Sequence, residues 1–519
     1  MHRSVLLDEL DLATAVTAEL EYTTLLLPPL AVTGVLTFRS EQVTNLVRSA
    51  LDQDVTATPA SVVLASKTKG VRPLNQWRLQ DRVFYSALVE RLRLQLPNEL
   101  QKRRSHAKFE AAPYANDVNE YICSTDITAY YQYIDHDVLA DELIAQTGDF
   151  HAVTALTGLL EQIMGTRVGI PQVHDASDVL GDTYVDPIRR ALIRAGYDTY
   201  VFADDFRIGC SSLGQARAAL ELCTNAAREL GLVLNDAKTY TYKRETYLGT
   251  MNRLSTAEST LLEEMNLKVA ADFLFPREYA DRDKASPLEP DFSHIDGAVP
   301  GMDGEESVDD PRIDERNSDL VRAVWAAWEN NTEARTHQTV RHLLGQALPA
   351  LGTLGDEGPL SQVPNLLDTA PHLTPKIAAY LKNLDADDVL HSNRVDNLIY
   401  TLVRSDRLSE WQKLWLAYVL GSPKAAHPFE PAPDPRPPLI IEWLNDCVQS
   451  EHDALAAAAA DSLGRLNVGD TDILTAAYGR VAPEYRLPIL WALGKLDPDK
   501  AHKVAEGKYH RLVLPPVLS

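Results

Sequence analysis

Two adjacent carboxylates, Asp204 and Asp205, stand where two strand-like runs meet. Residues 197–210 (YDTYVFADDFRIGC) read as two strands joined by a polar turn at these acids. Neighbouring carboxylates repel unless a cation holds them. The pair therefore calls for a sheet that brings up further ligands from a neighbouring strand. Asp126 fits: Tyr121-Ile122-Cys123 read as a strand ending in its carboxylate, with aromatics following. Mg²⁺ prefers hard oxygen ligands and usually shares them with substrate phosphates. Three such acids suit a two-metal site for in-line phosphoryl transfer. Taken alone, an Asp-Asp pair is more often a turn than a metal site.

The rest of the chain must agree with that chemistry. Its 519 residues suggest roughly two to four folded units. The net charge of −24 at first argues against nucleic acid, but the distribution is uneven. Residues 66–108 hold eleven Lys/Arg against three acids, a local excess of +8. Local basic surface matters more for phosphate binding than total charge. A solvated helix face is the plainer explanation of the same run. Residues 1–12 carry Asp8, Glu9 and Asp11 instead of a basic start, so no targeting segment is expected. The apolar stretch 25–38 is broken by Pro28 and Pro29 and falls short of the roughly 20 residues that a membrane span needs. A buried strand or helix edge is expected there, and no membrane partner. Cys123, Cys210, Cys223 and Cys447 form no C-x-x-C pair, which fits small buried hydrophobes in a reducing cytoplasm.

Patterning divides the chain into four. Residues 1–117 read as a mixed N-terminal region and 118–252 as strands alternating with helices, with a helix over 213–230 closed by Gly231. Residues 253–316 include an acidic, Pro-containing stretch expected as a linker, a thumb-like segment or a mobile loop. From 317 to 519 apolar residues recur at helical spacing, interrupted by a Pro-rich break at 428–438. LGRLN at 463–467 and LGKLD at 493–497 lie 30 residues apart, which suggests stacked helix pairs of the HEAT-like kind. An irregular helical domain is the other possibility.

Five segments in order resemble the reverse-transcriptase family. They are Lys67-Thr68-Lys69-Gly70-Val71-Arg72-Pro73-Leu74 with Arg78 and Asp81-Arg82; the Asp126 segment; Gly169-Ile170-Pro171-Gln172 with Ser177 and Leu180; Phe202-Ala203-Asp204-Asp205; and Gly231-Leu232-Val233-Leu234-Asn235 with Lys238, followed by Tyr247-Leu248-Gly249. The resemblance covers residues 60–250. It implies an α+β fold of fingers and palm, followed here by the all-α region. It implies Asp126 and Asp204 as metal ligands with Asp205 assisting, and the carbonyl of Ile127 as a main-chain ligand. Mg²⁺ is the implied cofactor, with Mn²⁺ as substitute. Arg72 would clamp the triphosphate, with Lys67 or Lys69 adding charge; the sequence does not choose between the two. Gln172 belongs to the nucleotide pocket. Lys238 resembles the lysine thought to protonate pyrophosphate, against the plain reading of an exposed surface lysine. Tyr131 takes the place of an aromatic that excludes a 2′-hydroxyl, against the plain reading of a packed palm aromatic. Asp135-His136-Asp137 is expected to be structural.

The sequence departs from the family pattern at Val173 for glycine, Asp178 for proline and Asp182 for asparagine. These departures predict unusual or relaxed template reading. The architecture resembles bacterial abortive-infection and other defence-associated reverse transcriptases. That resemblance implies dNTPs as substrates, RNA or DNA as partner, a homo-oligomer, and synthesis that is protein-primed or weakly templated. Two alternatives are a retron- or intron-like enzyme copying an RNA, with a non-coding RNA as partner, and an inactive scaffold that binds nucleic acid.

Overall fold

The computed structural model describes residues 3–22, 24, 26–53, 56–101, 106–250, 315–330, 338–386, 389–421 and 436–515. The expected linker at 253–316, apart from its last two residues, and residues 428–435 of the Pro-rich break lie outside these residues, as do Lys102, Arg103 and Arg104 of the basic run.

Strands occur in two places. β1 (Ser61–Ser66) and β2 (Val71–Gln76) form an antiparallel hairpin with Gly70 in its turn. β3 (Tyr121–Asp126), β4 (Asp198–Phe202), β5 (Asp205–Cys210) and β6 (Tyr240–Lys243) form an antiparallel sheet in the order β4-β5-β3-β6. The helices Asp175–Arg194 and Leu213–Glu229 pack against it, the first on β4 and the second on β3 and β5. The second helix ends one residue before the expected boundary, and Gly231 follows at φ +74°. One register pair decides the chemistry: Asp126 lies directly opposite Asp205.

The C-terminal region is helical, as the spacing predicts. Helices Gln338–Thr353, Thr374–Asp385, Glu410–Leu420, Asp453–Leu466 and Arg486–Leu496 form a row in which each packs on the next. After the Pro-rich break come two helices, Pro438–Val448 and Asp453–Leu466. Both matched pentapeptides mark close helix approaches. A Cβ on Gly464 would lie 2.6 Å from the Trp491 ring, and one on Gly494 would lie 2.6 Å from Leu514. Glycine is used here for close approach. Buried Arg436 holds Asp385 at 2.6 Å and Asp396 at 2.6 Å, tying the end of the Pro-rich break to the helices before it.

This region does not stand apart. It packs on the N-terminal helices and on the β1–β2 hairpin. The stretch 25–38 supplies the helix Ala31–Thr37, which meets the row. Leu30 offers that helix no side-chain cap, and the carboxylate of Asp461 accepts the Ala31 N–H at 2.8 Å instead. Trp411 Nε1 donates to the Leu26 carbonyl at 2.6 Å, and Arg39 donates to the Leu512 carbonyl. On β1, Ser61 bonds Glu484.

Four arginines of the basic run 66–108 are engaged with carboxylates of the chain itself. Arg78 pairs with Asp81, Arg82 with Glu19, Arg91 with Asp149 and Glu9, and Arg93 with Glu90. Lys67, Lys69 and Arg72 belong to the β1–β2 hairpin, and of these Lys67 interacts electrostatically with Asp126 and Asp204. All four cysteines are buried and free, as expected.

Candidate active site

Each carboxylate of the predicted set is placed by backbone geometry. β3 ends at Asp126, and β5 begins at Asp205. Between β4 and β5 the turn consists of Ala203 and Asp204, so the turn sits one residue earlier than the sequence suggests. Ala203 takes φ +51°, a region that costs an L-residue roughly 1–2 kcal/mol. Its N–H donates to Asp182 Oδ1 at 3.2 Å. The Ile127 N–H donates to the Asp204 carbonyl at 3.0 Å, tying the end of β3 to the turn. Ligand atoms of Asp126, Asp204 and Asp205 all come within 4.8 Å of one another.

Burial first, and then Asp126 and Asp205, push the Asp204 carboxyl up to about 6. Burial likewise raises Asp205, against the pull of Arg207, whose Nη1 lies 3.5 Å away. A cluster that resists its own ionisation fits a divalent cation bound through hard oxygens. Asp126, Asp204 and Asp205 are the residues that would hold it.

Cations surround the triad. Lys238 Nζ donates to Asp126 Oδ2 at 2.6 Å although its side chain is 62% exposed. Burial works against its charge, but Asp126, Asp205 and Asp204 raise its pKa. Asn235 bonds Asp126 twice, through Nδ2 to Oδ1 at 3.0 Å and through N–H to the main-chain carbonyl at 2.7 Å. From the hairpin, Lys67 reaches over the site. Partial burial first, then Arg72 and Lys238, lower its pKa, while Asp204 and Asp126 act in the opposite sense. Lys67 is thus within the field of the carboxylates, and both it and Lys69 are exposed in the turn. Arg72 lies on β2, paired with Ala65.

Tyr131 follows Asp126 by five residues and is half-buried. Its hydroxyl donates to Asp178 Oδ1 at 2.5 Å, and its ring lies beside Tyr130 with centroids 5.2 Å apart. The loop 169–174 with Gln172 is tied to the same segment: the Ile170 N–H donates to the Tyr131 carbonyl at 2.8 Å. Asp135 caps the helix His136–Thr147, and His136 is buried with Nε2 2.7 Å from the Gly169 carbonyl. The Asp135-His136-Asp137 segment is therefore structural, as expected.

The reverse transcriptase (RNA-dependent DNA polymerase) family matches residues 64–251, the span that carries the hairpin, the sheet and the triad. Residues 64–251 are a reverse-transcriptase domain. The enzyme class is RNA-directed DNA polymerase. No curated protein matches the chain. Among the described residues no helix is long and apolar enough to cross a membrane. Sequence reasoning gave Asn235, Asp182 and Arg207 no role in this domain. Asn235 stands within a quoted motif and Asp182 at a noted departure, so both carried a signal. Arg207 carried none beyond its position in β5.

Proposed function

We propose that this reverse-transcriptase domain makes DNA from dNTPs in a Mg²⁺-dependent reaction, and that the chain serves antiphage defence by abortive infection. The observation that carries the polymerase reading is the carboxylate triad with Lys238 and Lys67 converging on it. A divalent metal bound there supplies activation of a primer hydroxyl and neutralisation of phosphate charge. The protein's own groups do the rest. Asp126, Asp204 and Asp205 present the oxygens, and Asn235 and Lys238 fix the orientation of Asp126. Lys67 and Arg72 bring positive charge to the triphosphate. Lys238 holds a proton near the triad and is suited to meet pyrophosphate.

The defence reading rests on architecture: a compact domain of 118–252 with an N-terminal fingers region 1–117, followed by helices that pack in a row from 317 on. We read that row as HEAT-like repeats and as a surface for self-association. Light scattering of the full chain over a range of concentrations is expected to find more than one chain per particle. A single chain at every concentration would remove the oligomer from the proposal.

The central test incubates purified protein with Mg²⁺ and each labelled nucleotide, with and without copurified RNA, and sequences the product. Dependence on the RNA separates templated synthesis from protein-primed or untemplated synthesis. A Tyr131 ring held by Asp178 leaves little room for a 2′-hydroxyl. Incorporation of dNTPs should therefore exceed that of NTPs, and Tyr131→Ala should narrow the gap by about tenfold, equivalent to about 1.4 kcal/mol of discrimination. Equal use of both sugars by the wild type would end the gate assignment.

A further inference from the structure

The departure at Val173, and His174 beside it, have a physical partner outside the family-matched residues. The helix Leu12–Glu21, capped by Asp11, packs on the helix Leu79–Arg93 and brings Glu19 against the loop 169–174. Glu19 is buried at 5% exposure; its Oε1 lies 3.0 Å from His174 Nε2 and its Oε2 lies 3.3 Å from Arg82 Nε. Ser86 donates to the same carboxylate. The imidazole is itself buried and accepts the Ala176 N–H at 3.3 Å through Nδ1, so it caps the helix Asp175–Arg194. A neutral ring then carries its proton on Nε2, the nitrogen 3.0 Å from Glu19 Oε1. Trp77 and Tyr85 enclose the ring at 5.6 and 5.2 Å.

One residue earlier, Val173 sits at φ +57°, a conformation that β-branched residues rarely adopt. The Tyr22 hydroxyl donates to its carbonyl at 2.5 Å. The loop's other end is held by the Gly169 N–H on the Ile134 carbonyl and the Ile170 N–H on the Tyr131 carbonyl, both at 2.8 Å. The N-terminal segment and Tyr131, the proposed sugar gate, thus grip the same six-residue loop from opposite ends.

We infer that Glu19 and Tyr22 are positioning residues of the nucleotide pocket, holding the loop 169–174 in the shape that Val173 would not keep unaided. The inference rests on the polymerase reading for the identity of the pocket, but the tether itself is independent of activity. It supplies from the N-terminal segment the backbone shape that a glycine would allow freely.

The test uses the full chain carrying Tyr22→Phe, which removes one hydroxyl and little volume. The KM for dNTP should rise about 3–10-fold, the range expected for losing one hydrogen bond, with kcat within about twofold of the wild type. Amide exchange at residues 169–176 should accelerate while β3 and β5 keep their protection. In a Val173→Gly background, the same Tyr22→Phe change should alter KM less than about twofold, because glycine holds a positive φ without a tether. Glu19→Gln tests the other contact and should loosen the same amides. Unchanged exchange in Tyr22→Phe overturns the tether. Faster exchange with unchanged KM overturns its link to the nucleotide, as does a parallel loss of kcat and thermal stability. A wild type that incorporates no nucleotide defeats the polymerase reading, and the exchange data then still decide whether the tether exists.

Discussion

Asp204→Asn and Asp126→Asn should each lower nucleotide incorporation by about 10³-fold or more, since a metal ligand set contributes several kcal/mol of charge stabilisation and each 1.4 kcal/mol is tenfold. The same Asp204→Asn protein should be more stable than the wild type in metal-free buffer. Burial and the neighbouring acids raise Asp204 from 3.8 to about 6. A carboxyl with a folded pKa above its unfolded value costs stability as it ionises. The loss begins as the pH rises past the unfolded value and is complete above about 6. At pH 7.5 the gain for Asp204→Asn should be about 1–3 kcal/mol, from roughly two pKa units at 1.4 kcal/mol each less the burial cost of the amide. Near pH 4 the two proteins should melt together. Adding Mg²⁺ should raise the melting point of the wild type but not of the variant. Retained synthesis by both Asn variants would remove the triad from the chemistry. A variant that melts below the wild type in chelator at pH 7.5 would contradict the electrostatic account.

Asp461→Ala should destabilise the folded chain by about 3–5 kcal/mol, the usual result of breaking a buried ion pair from one side. Asp461 is 1% exposed and holds Arg465 Nε at 2.6 Å as well as the Ala31 N–H at 2.8 Å. Its removal leaves a partly buried guanidinium without its carboxylate and the start of the helix Ala31–Thr37 without an acceptor. A loss of this size is a large share of the roughly 5–15 kcal/mol that stabilises a typical domain. Thermal melts should show it. Limited proteolysis should cut the Asp461→Ala protein near residues 26–30, where the helical region now covers the chain. A protein that melts with the wild type and resists cleavage would show that this contact does not hold the two regions together.

The sequence revealed the catalytic sheet because its signals are local. Strand alternation on both sides of Asp204 and Asp205, and a strand ending at Asp126, specify a sheet in which β3 and β5 pair. The register then sets Asp126 opposite Asp205. The helices after residue 317 were legible for the same reason, from apolar spacing within each one. What escaped was pairing at long range. Arg82 and Arg91 read as parts of a phosphate-binding run because nothing near them in the chain announces Glu19 or Asp149. Glu19 and His174 lie 155 positions apart, and neither belongs to a motif. Val173 was visible only as a departure, since a positive φ is a property of the folded loop and not of the residue type.

The contacts of the helical region carry one mechanical consequence. They run to the N-terminal segment and to β1, through Asp461, Trp411, Arg39 and the Ser61–Glu484 bond, and β1 leads directly into Lys67. The helical row and the hairpin are therefore connected in series, with Lys67 at the far end of the linkage. Anything that loads the row, whether another copy of the chain or a ligand on its surface, pulls on the stem of the hairpin before it acts on the carboxylates. Distant binding would then be felt at the triphosphate as a change in where one ammonium group rests.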